Sequence, residues 1–263
     1  MREIISIFAF LFGAVFASFA GVVAYRVPKG LSIVKPDSYC PACKRDVAPY
    51  DNIPIISYII LGGKCRYCKA KIGVMSLILE ILGGLGFMLA YIMYGTSPIN
   101  LPIVIGLCCL VFLFIIMAAI DYETHDVYNV TLWIFFGISL AMTLYRVFVL
   151  DKSIWDYVGG AAVGFGFFLA ISLVAKFILK REALGSGDTF IVGIGGLLVG
   201  TFPLILSLLV GCLIGSVIEL IKIRVGASDR EDEIAFAPYL LFGIAVMAIF
   251  GEELMRVYWE VML

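Results

Sequence analysis

The sequence predicts an all-α polytopic membrane protein of about eight transmembrane helices, with one small loop domain that carries paired cysteines. Three observations lead there. The chain has 263 residues, of which 62% are hydrophobic and only 15% charged, and its mean hydropathy is +1.07. No soluble domain of this size is so apolar. The apolar residues gather in runs of about twenty, the length a helix needs to cross a bilayer core of about 30 Å. Between the first two runs, residues 26–73 are polar and hold two Cys-x2-Cys pairs. The net charge of −1 identifies no partner beyond the bilayer, and no nucleic-acid partner is expected.

In chain order, the run 4–25 is preceded only by Arg2 as a basic residue and is too long for a cleaved signal peptide. Residues 1–25 therefore read as a retained first span. Residues 26–73 form the only sizeable extramembrane module. Further spans are expected near 74–94, 101–120, 130–150, 155–179, 189–201, 203–222 and 236–258, so that 74–263 is one transmembrane domain. Thr189–Thr201 rises only about 20 Å, short of the core thickness, and Pro203 marks a turn between a short span and the next. Fifteen of the 19 basic residues lie in 26–73, 176–181 and 222–230. Eight spans place all three segments on one side, which the positive-inside rule makes cytoplasmic. Both termini then lie outside.

The pairs Cys40/Cys43 and Cys65/Cys68 are separated by 21 residues, the spacing of a structural zinc site in which four thiolates close a tetrahedron. A disulfide or redox pair is the alternative; a reducing cytoplasmic setting disfavours it. Cys108, Cys109 and Cys212 lie inside spans and read as small packing residues. The lone His125 reads as a solvated loop residue, and no His-Glu-x-x-His zinc protease motif is present. The dense glycines at 83–86, 159–166 and 193–200 read as close helix packing. Glu219 has Lys222 at i+3 as a ready partner, whereas Glu80, about two turns into its span, has none.

Two aspartates stand out. Asp188 ends Gly185-Ser186-Gly187-Asp188 at the foot of an apolar run, and Asp121 ends the run 101–120. The topology puts both at the cytoplasmic side. Singly, Asp188 reads as an N-cap and Asp121 as a solvated loop start. Together, with glycines that permit close backbone approach, they read as a pair that shares one proton and activates a water against a peptide bond. Asp126, in the same loop, is expected to be as exposed as Asp121.

With these residues in hand, the chain resembles the type IV prepilin peptidases, membrane aspartyl proteases with a Gly-x-Gly-Asp motif. The likeness runs through Ser18-Phe19, Val22–Pro28, Ser38–Cys43, Tyr50–Tyr58, Cys65–Ala70, Ile120-Asp121 and Gly185–Asp188. The resemblance implies catalysis by Asp121 and Asp188 with Gly185 and Gly187 in support, and a structural Zn2+ on Cys40, Cys43, Cys65 and Cys68. It also implies prepilin-like substrates of type IV pilus or type II secretion systems, at the cytoplasmic face of the bacterial inner membrane. The family's second activity, N-methylation of the new N-terminus with S-adenosylmethionine, makes Glu80 a candidate for methyl transfer. Several family positions differ: Ala17-Ser18-Phe19-Ala20-Gly21 lacks the usual Asn, Gly62-Gly63 replaces Arg-Gly, and Ser76-Leu77 replaces Tyr-Pro. These fall mostly in the part linked to methyl transfer, so peptidase activity is the better supported of the two. The rival readings are a catalytically silent zinc-containing membrane scaffold and an ion-coupled transporter. A transporter would favour carboxylates near the midplane rather than at span ends.

Overall fold

A computed structural model describes residues 2–35, 38–180, 185–226 and 234–262. Arg181 and Arg230, used above for orientation, lie outside them. The chain divides into two compact units, Met1–Val104 and Ile105–Leu263.

In the first unit, α1 (Arg2–Arg26) packs against α3 (Val74–Tyr94). The stripe Gly13, Ala14, Ala17, Ala20 and Ala24 is buried on α1, and its small side chains let the two backbones approach. A Cβ placed on Gly13 would lie 2.3 Å from the carbonyl oxygen of Gly83. Arg2 Nη2 donates to the Ile92 carbonyl at 2.6 Å; with the Gly13–Gly83 contact, this makes the pair an antiparallel hairpin. Large side chains such as Ile4, Phe8 and Phe12 point outward, as expected where lipid replaces water outside the helices. The short helix α2 (Ile56–Ile60) lies in the segment between them.

The second unit holds most of α4 (Leu101–Thr124), then α5 (Asn129–Val149), α6 (Ile154–Val174), α7 (Ser186–Val199), α8 (Thr201–Val225) and α9 (Ala237–Met262). A π-helical turn, Ala175–Leu179, extends α6. The short α7 is central and packs on α5, α6, α8 and α9. Its own Ile191 and Leu198 are fully buried, as are Phe135, Leu204, Leu240 and Ile244 on the helices that surround it. Gly200, at φ +89°, ends α7, and Thr201 opens α8 with its N–H donating to Asp156 Oδ1 at 3.2 Å. The expected break lies three residues before Pro203. The far end of α7 is held by α5: Thr143 Oγ1 donates to the Leu197 carbonyl at 2.6 Å and Arg146 Nη1 to the Leu198 carbonyl at 2.7 Å. These are carbonyls that a helix end leaves without intrahelical partners.

Among the described residues, six helices are long and apolar enough to cross a membrane, and α7 is a shorter apolar helix of 14 residues. Together with α9 they fall where the eight spans were expected, and the protein is a multi-pass membrane protein. The glycine expectation holds at most of these positions: Gly164 is pressed by Leu204 and Val192, and Gly195 by Ile244. Gly160 and Gly196 meet backbone to backbone, each Cβ position lying within 2.5 Å of the other's carbonyl oxygen, whereas a Cβ on Gly166 meets nothing within 4 Å. Gly160→Leu is therefore expected to lower stability in detergent by roughly 1–3 kcal/mol through overpacking. Gly166→Leu should leave it near the parent value; thermal unfolding of the two variants compares them directly.

Candidate active site and metal-binding module

Asp121 lies in the last turn of α4 rather than at a loop start, because the helix runs on to Thr124. It is only 5% exposed, and its Oδ2 is buried without a hydrogen-bond partner. The backbone N–H of Ala237, at the start of α9, donates to its carboxylate. Asp188 is the third residue of α7, where Gly185 takes the N-cap position and no side chain caps the helix. The N-cap role considered for Asp188 is thus not the one it adopts. Asp188 is within electrostatic reach of Asp121. The end of α4 and the starts of α7 and α9 therefore meet in one place, and the positive ends of two helix dipoles face the acidic pair.

The two glycines before Asp188 differ in what they permit. A Cβ on Gly187 would lie 2.8 Å from Val127 Cβ, so the loop after α4 presses directly on the first turn of α7. A Cβ on Gly185 would meet only Asp188 Oδ2, at an ordinary 3.6 Å. Gly187 is the one that this approach requires. His125, at φ +54°, closes α4 by donating its N–H to the Asp121 carbonyl at 2.8 Å. Asp126 is exposed. The similar exposure expected for Asp121 and Asp126 is therefore corrected: continuation of the helix buries one and leaves the other in water.

A second polar group lies nearby. Glu219 accepts from Lys222 Nζ at 2.8 Å, as its spacing suggested, and also from Tyr239 Oη at 2.6 Å. Lys222 Nζ lies 5.3 Å from the ring centroid of Tyr122, next to Asp121. Tyr239 and Ala237 escaped the sequence reading, since nothing local pairs α9 with α4 or α8. Arg146 is 3% exposed inside α5; a lone Arg in an apolar run was the signal for it.

In the first unit, Cys40, Cys43, Cys65 and Cys68 bring their sulfurs within 4.8 Å of one another. Cys40 Sγ and Cys68 Sγ are 3.8 Å apart. A tetrahedron with metal–sulfur arms of about 2.3 Å has edges of about 3.8 Å, so the four thiols fit a single ion. Both pairs fold alike. Lys44 N–H donates to the Cys40 carbonyl and Lys69 N–H to the Cys65 carbonyl, at 2.8 and 3.1 Å. Both lysines adopt positive φ, 59° and 60°. Asp51 binds Arg66 through two hydrogen bonds of 2.6 and 2.7 Å, which hold its carboxyl below the usual range. Glu80 is buried on α3 and does have a partner: its Oε2 accepts from the Ile55 N–H at 2.7 Å. Cys108 is half-buried, and Cys109 and Cys212 are exposed on the outer faces of α4 and α8.

Fold and site define a helical, multi-pass membrane protein whose first unit carries a four-cysteine module and whose second unit brings two acidic side chains together at its helix ends. The chain belongs to the type IV leader peptidase family. That family's model matches residues 108–220, and the model of the bacterial peptidase A24 N-terminal domain matches residues 11–94. The chain is 33% identical over 221 residues to a prepilin leader peptidase/N-methyltransferase of Myxococcus xanthus, a match covering 83% of this chain and 63% of that relative. Relatives with the same description match in Bacillus subtilis, at 29% identity over 95% of this chain and 96% of the relative, and in Neisseria gonorrhoeae, at 30% over 88% and 86%. No solved structure matches the chain.

Proposed function

We propose that the protein is a membrane aspartyl endopeptidase that removes the leader from prepilin-like precursors at the cytoplasmic face of the bacterial inner membrane. The observation that carries this is the buried Asp121, with one oxygen unpartnered, within reach of Asp188 at the same end of the helical core. One carboxylate, ionised, takes a proton from a water whose oxygen attacks the scissile carbonyl carbon. The other, protonated, donates to the carbonyl oxygen, and collapse of the adduct passes a proton to the leaving amine. The Ala237 N–H orients Asp121 and leaves Oδ2 for the water. The concentration of Lys and Arg in 26–73 supports the cytoplasmic reading of this end by the positive-inside rule.

Cys40, Cys43, Cys65 and Cys68 would hold a structural zinc, and four thiolate ligands would leave it no open position for chemistry. Glu80 accepts the Ile55 N–H through Oε2, and no step here runs through S-adenosylmethionine. With the departures at Gly21, Gly62, Ser76 and Leu77, methyl transfer is expected to be weak or absent beside intact cleavage. Purified protein incubated with a precursor whose basic leader ends in Gly, together with labelled S-adenosylmethionine, tests both claims. Leader release with little label on the product is the expected result. Intact precursor would overturn the peptidase assignment, and stoichiometric label would show the departures to be harmless.

A further inference from the structure

The segment between α1 and α3 is tethered at both ends to helices long and apolar enough to cross a membrane. Its short helix α2 carries Ile56, Ile59 and Ile60 at i, i+3 and i+4, one face of a helix. These side chains are 50%, 68% and 74% exposed. Ser57 and Tyr58, on the other face, are half-buried. Three large apolar side chains standing together on so small a module require a cover.

The depth of α2 identifies it. Ile55, the residue that caps α2, donates its N–H to Glu80 Oε2 at 2.7 Å. Glu80 is the seventh residue of α3, about 9 Å along the axis from the first. The 21 residues of α3 match a bilayer core of about 30 Å with nothing to spare, so the start of α3 lies at the edge of the hydrocarbon. The start of α2 is therefore drawn below that edge. Backbone polar groups at such depth must be satisfied by protein, and Glu80 supplies the acceptor. Ile55, at φ +62° and ψ −53°, holds a conformation rare for a β-branched residue, as a chain forced to turn back at a fixed level would.

Charge completes the pattern. Lys35, Lys44, Arg45, Lys64, Lys69 and Lys71 are exposed on the same segment. Across 26–73 nine basic residues face three acidic ones, and one of those acids, Asp51, is already bound to Arg66. A basic segment of this kind is drawn to anionic phospholipid headgroups.

We propose that α2 is an interfacial helix that inserts Ile56, Ile59 and Ile60 into the cytoplasmic leaflet beneath anionic headgroups, so that the cysteine module lies on the membrane rather than free in the cytoplasm. The test uses the full chain in phosphatidylcholine–phosphatidylglycerol liposomes, with Trp133, Trp155 and Trp259 replaced by Phe. Ile60→Trp then reports from α2, and Tyr67→Trp, beside Cys68, reports from the module's cysteine knuckle. Zinc content equal to the parent's shows that each variant keeps the module folded. The expected result is blue-shifted emission from Ile60→Trp, quenched at least twice as strongly by tail-brominated phospholipid as that of Tyr67→Trp, while iodide quenches only the latter. Iodide quenching of Ile60→Trp without quenching by brominated lipid overturns the proposal. So does insensitivity to both quenchers, which would mean that protein covers the helix. Neither outcome bears on the catalytic assignment, which cleavage assays read separately.

Discussion

Asp121→Asn and Asp188→Asn are each expected to abolish leader cleavage, with the double variant scarcely worse than either. A carboxamide can neither take a proton from water nor share one with its neighbour, so removing one acid disables the other. Residues that act as a unit lose activity non-additively, each single loss being on the order of 10⁴-fold or more. Folding should survive. Asp121 Oδ2 has no hydrogen-bond partner to lose, and Asp188 caps no helix with its side chain. Asp126→Asn is the internal control: it lies five residues on in the same segment but is exposed, and it should keep most activity. Cleavage of a Gly-ending precursor by the four purified variants, with thermal unfolding alongside, decides the matter. Loss of activity in Asp126→Asn with retention in Asp121→Asn would move the first acid to the loop and leave the chemical class standing.

What the sequence revealed and what it hid divide along a physical line. Features fixed by local composition were legible. Apolar runs of membrane length marked the spans, and the rise of about 20 Å over Thr189–Thr201 foretold the short α7. Two Cys-x2-Cys pairs foretold the four-sulfur cluster. Features made by contacts between distant segments were not legible. Nothing near Glu80 announces that the Ile55 N–H will bind it, and nothing near Asp121 announces the N–H of Ala237. The exposure of Asp126 was misjudged for a related reason: four more residues of helix follow the apolar run of α4, and they decide which acid is buried. Gly185 and Gly187 look equivalent in the motif, but only the contact with Val127 shows which of them admits no side chain.

Removing the metal is expected to unfold the cysteine module and leave the helices in place. The segment 26–73 has little core of its own: in its described part no hydrophobic side chain is buried, and a module of this size needs a staple. The cluster also needs a cation for electrostatic reasons. Hydrogen bonds from the N–H groups of Cys43 and Ala42 draw the Cys40 thiol down to about 6. The Ala70 N–H favours the Cys68 thiolate as well, but burial and the three neighbouring sulfurs push that thiol up to about 11. Four thiolates therefore coexist near neutral pH only around a positive charge, and binding the ion must release protons. The sign follows: affinity falls as pH falls, because protons compete for the sulfurs, and acidification ejects the metal before any loss on the alkaline side. Cys40→Ser removes a ligand outright and should weaken zinc binding by more than about 100-fold, since even changes beyond the ligands cost 10–100-fold. Elemental analysis should find about one zinc per parent chain and little in the variant. Limited proteolysis should then cut within 26–73 while the membrane-embedded helices resist. A metal-free protein whose module stays protease-resistant would show that the fold of 26–73 rests on something other than these four sulfurs.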